Sequence, residues 1–282
     1  MIGLKLTTGF AAIGLLALTA LPAAAQDTLE KARESGSITI GIGNAPPWAA
    51  MSPTGEPAGA APELAVAILK KLGIENVTAT IVDYGAMIPG LNAGQFDVVA
   101  AGMYLKPNRC SAVLFSEPDL CDSSALVVAK GNPKNLTSYA DVGAHADAVL
   151  VTCGGCVEET YAREAGIPDD RLLLVADEQN AMQLLLSGRA DAYGYPTVSS
   201  TTLVRKLNAE DKLDIVSPLV NTDVGCGGAV FRKADREFRD AYDAVLAEMK
   251  TDGSFDEIMD RNGFPTETPK KMTRLALCEG EN

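Results

Sequence analysis

The chain has 282 residues, of which 47% are hydrophobic and 22% are charged, the balance of a globular protein with a substantial core. Its formal net charge is −13, whereas nucleic-acid binding requires a basic surface, which argues against nucleic acid as a partner. The length suits two modest domains or one large domain.

The first 25 residues have the pattern of a cleavable export signal. Lys5 supplies a positive charge, the apolar run 10–18 is too short to span a bilayer, and Ala23 to Ala25 form an A-x-A cleavage site. We therefore expect cleavage after Ala25 and export through the Sec pathway. An uncleaved membrane anchor is the alternative. No later segment has the length and apolar character of a membrane span.

The residues after the signal alternate between helix and strand patterns, which favours a layered α/β domain. In chain order these are a helix at 28–36, a strand at 37–43, a helix at 59–74, a strand at 77–85, a helical turn region at 86–96 and a strand at 97–103. The last strand is continuously apolar and is therefore expected to be buried on both faces.

A second run of the same alternation follows. Its members are a strand at 125–133, a strand at 148–155, a helix at 157–166, a strand at 171–177, a helix at 178–190 and a strand at 191–196. The last part of the chain predicts a strand at 227–234, helices at 235–253 and 254–263, and a tail. Two similar α/β units with a segment left over predict two lobes with a ligand cleft between them, the C-terminal third rejoining the first lobe.

Six cysteines in an exported chain indicate disulfides, although the sequence leaves their pairing open. The candidates are Cys110, Cys121, Cys153, Cys156, Cys226 and Cys278. Cys110 and Cys121 flank a loop-like segment. The Cys153-x-x-Cys156 motif lies between a predicted strand and a predicted helix, so a redox role is an alternative to a local bridge or free thiols. The only histidine is His145, which argues against a zinc site or a His-based triad, and we expect no metal or cofactor.

Six motifs in this order resemble those of one protein family. They are ITIGIGNAPPW (38–48), GAAPELAVAILKKLG (59–73), YGAMIPGLNAGQFDVVAAGM (84–103), PNRC leading to FSEP (107–118), LLLSGRADAY (184–193) and the stretch from FRKADREF to RNGF (231–264). The series looks like the solute-binding proteins of ABC importers for polar amino acids and related solutes, family 3 type. The stretches 88–97 and 100–121 resemble its ectoine- and hydroxyectoine-binding branch.

The resemblance implies an α/β, two-lobed periplasmic binding protein of type II with two hinge strands. It places the first lobe at 26–121, the second lobe at 122–221 and the returning part of the first lobe at 222–282, with hinge strands near 120–124 and 218–223. It also implies a monomeric periplasmic protein that binds a small zwitterionic ligand, delivers it to an ABC permease in the inner membrane, and catalyses no reaction.

The resemblance assigns roles to residues of both lobes. Arg109 matches the arginine that clamps the ligand carboxylate, a role that suits the guanidinium fork. Trp48, Tyr84 and Tyr104 match three aromatic walls around a delocalised cation; the alternative for each ring is a place in the core. In the turn 152–157, Thr152, Gly155 and Cys156 match the region where backbone N–H groups meet the carboxylate, although Gly-Gly-Cys replaces the usual Gly-Thr pair.

Two positions depart from the pattern of the family. Pro196 occupies the place where binders of α-amino acids carry an aspartate for the ligand ammonium, which favours a ligand whose positive charge is delocalised or methylated. Ala45 occupies the place of an acidic residue in ectoine binders. Ectoine or hydroxyectoine is therefore the expected ligand, and a polar or basic amino acid or a betaine-like solute is the alternative.

Two other functional classes remain as alternatives. A lyase on the same fold would need an acid–base group in the cleft, for which Glu117 and Glu158 are candidates. Against this, Glu117 belongs to a family motif, and Glu158 lies at a helix start, where an acid favours the helix dipole. A ligand-sensing receptor domain would require a later membrane span.

Overall fold

Two β-sheets flanked by helices form the protein, whose computed structural model describes residues 28–279. The predicted export signal lies outside the described residues. The helices are α1 (Thr28–Ser35), α2 (Ala60–Lys71), α3 (Met87–Asn92), α4 (Pro107–Cys110), α5 (Tyr139–Ala144), α6 (Val157–Glu164), α7 (Glu178–Leu186), α8 (Thr197–Lys206), α9 (Arg236–Asp252), α10 (Ser254–Arg261), α11 (Glu267–Lys271) and α12 (Arg274–Glu279).

The strands alternate with these helices for most of the chain. They are β1 (Ser37–Ile42), β2 (Ala50–Met51), β3 (Pro57–Ala58), β4 (Asn76–Ile81), β5 (Val98–Tyr104), β6 (Leu114–Phe115), β7 (Leu120–Asp122), β8 (Ser124–Ala129), β9 (Leu150–Cys153), β10 (Leu172–Val175), β11 (Ala192–Pro196), β12 (Leu213–Val216) and β13 (Gly225–Phe231).

The two large sheets repeat one arrangement. The first has the order β4-β1-β5-β13-β6, with β7 also paired to β13, and the second has the order β10-β9-β11-β8-β12. In each, three parallel strands are followed by an antiparallel strand from elsewhere in the chain. This is the two-lobed α/β fold that the sequence predicted.

Both faces of each sheet are covered, because successive strand residues point to opposite faces and both sets are apolar. In β5, Val98 and Ala100 pack in one core cluster with helices α2 and α9, whereas Val99, Ala101 and Met103 pack in another with α3. The second sheet follows the same alternation through its own two clusters. The continuously apolar pattern of 97–103 therefore predicted its burial correctly.

The chain passes between the sheets twice. It leaves the first sheet after β7 and enters the second at β8, and it returns between β12 and β13. Where these segments meet, Thr197 Oγ1 lies 2.7 Å from Ser217 Oγ and 3.0 Å from Ser123 Oγ. The first crossing lies in β7 and β8, at the hinge strand predicted near 120–124. The second crossing, between β12 and β13, lies at the predicted position near 218–223 but consists of turns and irregular residues and not of a strand. The lobe boundaries themselves stay a prediction.

The C-terminal segment rejoins the first lobe. Helices α9 and α10 pack on α2, and Phe238, Tyr242 and Phe255 belong to the same core cluster as the first sheet. Among the described residues, none of the helices has the length and apolar character needed to cross a membrane.

Three disulfides join the six cysteines, with no free thiol among them. The pairs are Cys110–Cys278, Cys121–Cys226 and Cys153–Cys156. Cys121 and Cys226 are directly opposite in the β7–β13 pairing, and Cys110–Cys278 attaches α12 to α4. The motif at 153–156 is thus a local bridge in this structure.

Some short elements carry too weak a pattern to be predicted. The loop-like segment after Cys110 contains the two-residue strand β6, which pairs with β13, and the tail contains α11 and α12. Two-residue strands are too short to display a period of two, so only their pairing partner identifies them.

Candidate ligand-binding site

A cavity of about 50 Å³ lies between the two lobes. The first lobe contributes Gly43, Ala45, Trp48, Ala49, Tyr84, Ala101, Gly102 and Tyr104, and the second contributes Cys156, Val157, Glu158, Tyr195 and Pro196. Wider grooves of about 600 Å³ and about 350 Å³ adjoin it, the former along α4 and α6 and the latter along α7 and α8.

Aromatic rings from both lobes line this cavity. Trp48 is only 4% exposed and meets Tyr104 edge-on at 5.7 Å and Phe264 at 4.9 Å between ring centroids. Tyr84 follows β4, and Tyr195 lies in β11 of the second lobe. Burial raises the pKa of the Tyr84, Tyr104 and Tyr195 hydroxyls, so these rings are neutral near pH 7. Neutral aromatic rings attract cations through their π faces.

Close packing against β5 fixes the position of Trp48. A Cβ atom added to Gly102 would lie 2.5 Å from Trp48 Cζ3, and the φ angle of Gly102 is +60°. Only glycine accommodates both the ring and this backbone conformation. Among the described residues, the indole Nε1 of Trp48 is buried and has no hydrogen-bond partner, and a buried donor of this kind favours a bound acceptor.

Arg109 lies at the rim of the cavity, in α4. Its Nη1 donates to the carbonyl oxygen of Tyr104 and its Nη2 to the carbonyl oxygen of Gly155, both at 2.9 Å. The guanidinium carbon lies 5.5 Å from the centroid of the Tyr84 ring. Arg109 lines the adjoining groove rather than the cavity itself, and its donors are engaged with backbone oxygens in this structure.

The predicted turn of the second lobe contacts the first lobe directly. Gly155 has a φ of +80°, and an added Cβ would lie 2.6 Å from Gly85 Cα, so a side chain at this position would force the lobes apart. The N–H of Gly155 donates to Glu159 Oε2 at 2.7 Å. Thr152 is buried in β9, donates to the carbonyl oxygen of Gly194 at 2.9 Å and does not line the cavity.

Glu158 is the only formally charged side chain among the described residues that line the cavity. It lies in the first turn of α6 and is 2% exposed. Burial raises the pKa of its carboxyl to about 7, while its own backbone N–H and the charge of Arg109 oppose that rise. Ser124 Oγ donates to its Oε1 over a long 3.4 Å. The cavity therefore has an acid even though Ala45 and Pro196 do not supply one.

The structure brings together five of the eight predicted site residues and separates three. Trp48, Tyr84, Tyr104, Cys156 and Pro196 line the cavity, whereas Arg109 and Gly155 lie at its rim and Thr152 lies behind it. The second enzyme candidate, Glu117, pairs with Arg274 at 3.3 Å and does not line the cavity.

Tyr195 was not predicted from the sequence, and Glu158 was predicted only as an acid–base candidate for a lyase. Tyr195 stacks on Tyr193 with centroids 5.1 Å apart, as residues on one face of a strand do. Its place beside Pro196, at the end of β11, was the available signal.

One group of residues has the donor types of a metal site. Cys153, Cys156 and Glu158 each offer a ligand atom within 4.8 Å of the other two. Metal ions bind cysteine as the thiolate, and here the two sulfurs are joined in a disulfide. In this structure Cys156 and Glu158 form part of the cavity wall, whereas Cys153 does not line the cavity.

Comparison with known proteins identifies the family. Residues 38–264 match the family described as bacterial extracellular solute-binding proteins, family 3. A probable amino-acid ABC transporter periplasmic-binding protein, y4tE of Sinorhizobium fredii (strain NBRC 101917 / NGR234), is 31% identical over 263 residues, covering 89% of this chain and 86% of that relative.

Two solved structures extend the comparison. EhuB in complex with hydroxyectoine is 42% identical with a TM-score of 0.88, covering 91% of this chain and 100% of EhuB. The ancestral amino-acid-binding protein AncCDT-1, described as a precursor of cyclohexadienyl dehydratase, is 26% identical with a TM-score of 0.72, covering 83% of this chain and 98% of the other. Together with the family match, these likenesses show that the chain belongs to the bacterial extracellular solute-binding proteins of family 3.

Proposed function

We propose that this protein is the solute-binding component of an ABC importer and that it holds a small zwitterionic compatible solute, ectoine or hydroxyectoine, between its lobes. The observation that carries the proposal is the cavity lined by Trp48, Tyr84 and Tyr104 with an acid opposite them. The 42% identity to EhuB, solved in complex with hydroxyectoine, supports the choice of solute.

The cavity and its rim have separate parts for the two charges of such a solute. A delocalised cation between the rings gains about 0.5–2 kcal/mol per cation–π contact. The carboxylate would lie toward Arg109, whose fork forms charge-assisted bonds stronger than those it donates to the neutral carbonyl oxygens of Tyr104 and Gly155. If Arg109 Nη2 exchanged its hydrogen bond to the Gly155 carbonyl oxygen for one to the ligand carboxylate, Arg109 would stay between the lobes.

Transport requires the solute to change the conformation of the protein. A ligand that contacts both lobes favours the closed arrangement over the open one by its differential affinity. The proposed partner is a permease in the inner membrane, and the proposed state is a periplasmic monomer exported through the Sec pathway. The likeness to a periplasmic-binding protein of an ABC transporter supports the permease partner and the periplasmic location.

A thermal-shift screen of the refolded, ligand-free protein tests the proposal. The panel contains ectoine, hydroxyectoine, glycine betaine, proline, arginine, histidine and glutamine. A ligand at a hundred times its Kd adds about 2.7 kcal/mol of stability. A raised midpoint with the ectoines supports the proposal, whereas a raised midpoint only with ordinary amino acids identifies the protein as an amino-acid binder.

Glu158 also favours a second candidate, a lyase on the same fold. A buried carboxyl with a pKa of about 7 suits proton transfer near neutral pH, and AncCDT-1 is described as a precursor of a dehydratase. Mass spectrometry of each bound solute after incubation separates the two functions. An unchanged solute supports transport, whereas conversion that is lost in Glu158→Gln supports the lyase.

A further inference from the structure

We propose that Glu158 selects the solute by its positive charge, acting from the second lobe as the counter-ion of the cationic group held between the aromatic rings. The inference rests on the proposed function, in which the cavity binds a zwitterion. Relatives carry an acidic residue at the position of Ala45 or of Pro196. The inference assigns the recognition of the ligand's positive charge to a different position, Glu158.

Glu158 lines the cavity together with Trp48, Tyr84 and Tyr104 of the opposite lobe. A cation between these groups would contact π faces on one side and a carboxylate on the other. Since the rings belong to the first lobe and Glu158 to the second, such a cation joins the lobes.

Burying the Glu158 carboxylate costs free energy unless a cation pairs with it. Glu158 is 2% exposed, and no ion pair in the described part of the chain includes it. Arg109 is near enough to attract it, but both ends of the Arg109 fork donate to backbone oxygens. An unpaired buried carboxylate destabilises the ligand-free fold, and a cationic ligand would remove that cost.

Among the described titratable groups around the cavity, Glu158 is the one whose carboxylate can pair with a cationic ligand near neutral pH. The charged neighbours are Arg109, which lowers its pKa, and Asp122, which raises it. The other facing groups are tyrosines, whose hydroxyl pKa values burial raises; they are Tyr84, Tyr104, Tyr139, Tyr161, Tyr193 and Tyr195. Asp122 has a raised pKa of about 6 and accepts hydrogen bonds from the backbone N–H groups of Ser123 and Val198, so its carboxylate is already partnered.

A matched control exists in the first lobe. Asp119 is also 2% exposed, and burial also raises its pKa to about 7. It lies near Lys250 and Tyr242 and does not line the cavity. Asp119→Asn therefore removes a buried acid of the same exposure and the same pKa without touching the proposed site.

The test is calorimetric titration of wild type, Glu158→Gln, Glu158→Asp and Asp119→Asn, each refolded without ligand, with the same panel of solutes at pH 6 and pH 8. We expect Glu158→Gln to lose tenfold or more in affinity at pH 8 for the solute that wild type binds. Glu158→Asp keeps the charge at a shorter reach and should lose less, and Asp119→Asn should bind as wild type does. Thermal unfolding of each variant verifies that it is folded.

The ionisation of Glu158 should make solute affinity depend on pH. With a pKa of about 7, the ionised fraction rises about tenfold between pH 6 and pH 8. Wild-type affinity for a cation-bearing solute should therefore rise by up to about tenfold over this range, and Glu158→Gln should show a flat profile. A profile in Glu158→Gln as steep as that of wild type overturns the inference.

The outcomes separate the inference from the function on which it rests. Ectoine binding that is unaffected in Glu158→Gln overturns the inference alone. Binding of an ordinary amino acid in place of ectoine, lost in Glu158→Gln, overturns the choice of solute and supports Glu158 as the counter-ion. A wild-type protein that binds no cation-bearing solute of the panel overturns both.

Discussion

Arg109 in α4 of the first lobe and Gly155 in the second are joined by a hydrogen bond of 2.9 Å from the guanidinium Nη2 to the Gly155 carbonyl oxygen. The other end of the fork donates to the carbonyl oxygen of Tyr104, also at 2.9 Å. One side chain therefore connects the last strand residue of β5 to the turn that opens α6. The residue proposed to receive the ligand carboxylate therefore already makes a contact between the lobes.

Replacement of Arg109 by lysine should weaken solute binding while leaving the fold intact. Lysine keeps the charge but loses the fork that bonds a carboxylate through two parallel donors. The loss of a hydrogen bond to a charged group costs about 1.5–3 kcal/mol, and calorimetric titration with ectoine measures it. Arg33→Lys is the control, because Arg33 donates to the carbonyl oxygen of Leu72 outside the cavity. An Arg109→Lys variant that binds ectoine as tightly as wild type contradicts the assigned role.

Gly102→Ala should displace the Trp48 ring and reduce both stability and solute affinity. The added methyl would lie 2.5 Å from Trp48 Cζ3, and overpacking of this kind costs about 1–3 kcal/mol. Gly94→Ala is the matched control, because Gly94 also has a positive φ, +72°, but no atom within 4 Å of the added carbon. Both variants should lower the unfolding midpoint through backbone strain, but only Gly102→Ala should lower affinity. Equal affinities for the two variants would show that the ring position does not matter.

The sequence predicted most of the fold because its sheets are buried on both faces and its helices are amphipathic. The apolar run at 97–103 became β5, and the predicted strand at 148–155 became β9. It could not predict β6 or the pairing of Cys110 with Cys278, because both depend on contacts between parts of the chain more than a hundred residues apart.

The first-lobe side of the site was easier to predict from the sequence than the second-lobe side. Trp48, Tyr84 and Tyr104 lie in stretches that resemble the family, so the resemblance predicted that they share one site. The second lobe was harder, because residues 152–158 could each face the cleft or the interior of the lobe. The structure turns Thr152 inward, toward the Gly194 carbonyl, and turns Glu158 into the cavity. Helix phase at the start of α6 decides this, and the sequence there does not define it.

The short and long disulfides should contribute differently to stability and binding. Cys121 and Cys226 are 105 residues apart, and Cys153 and Cys156 only three. In the chain-entropy account, a loop of this longer size is worth about 5 kcal/mol and a four-residue loop about 2. We expect Cys121→Ser/Cys226→Ser to lower the unfolding midpoint more, and Cys153→Ser/Cys156→Ser to lower ectoine affinity more, since Cys156 lines the cavity. Thermal unfolding and titration of both double variants measure the two effects. Equal ectoine affinities for the two double variants would show that the Cys153–Cys156 disulfide has no particular role in binding.

The ligand-free protein should lose stability as the pH rises from 5 to 8. Burial raises the pKa of Glu158 and Asp119 to about 7 and that of Glu178 to about 8, from ordinary values of 4.5 for Glu and 3.8 for Asp. The folded state therefore binds protons more tightly than the unfolded state between these values, so the stability that protonation provides is lost as the pH rises through the folded pKa. Urea unfolding at pH 5 and pH 8 measures the change.

The same series tests which carboxyls carry this pH dependence. Glu178→Gln should flatten the decline, because burial gives Glu178 the highest pKa of the three. A saturating cationic solute should also flatten it, by pairing with Glu158. A protein whose stability rises between pH 5 and pH 8 would contradict the raised pKa values.

The most direct test of the central claim is a fluorescence titration of the refolded, ligand-free protein with ectoine and hydroxyectoine. Trp48 is the only tryptophan of the chain and lies in the wall of the cavity, so its emission reports on the proposed site. The account predicts a saturable change with the ectoines that arginine and histidine produce only at higher concentration. A saturable change with those amino acids and none with the ectoines would contradict it.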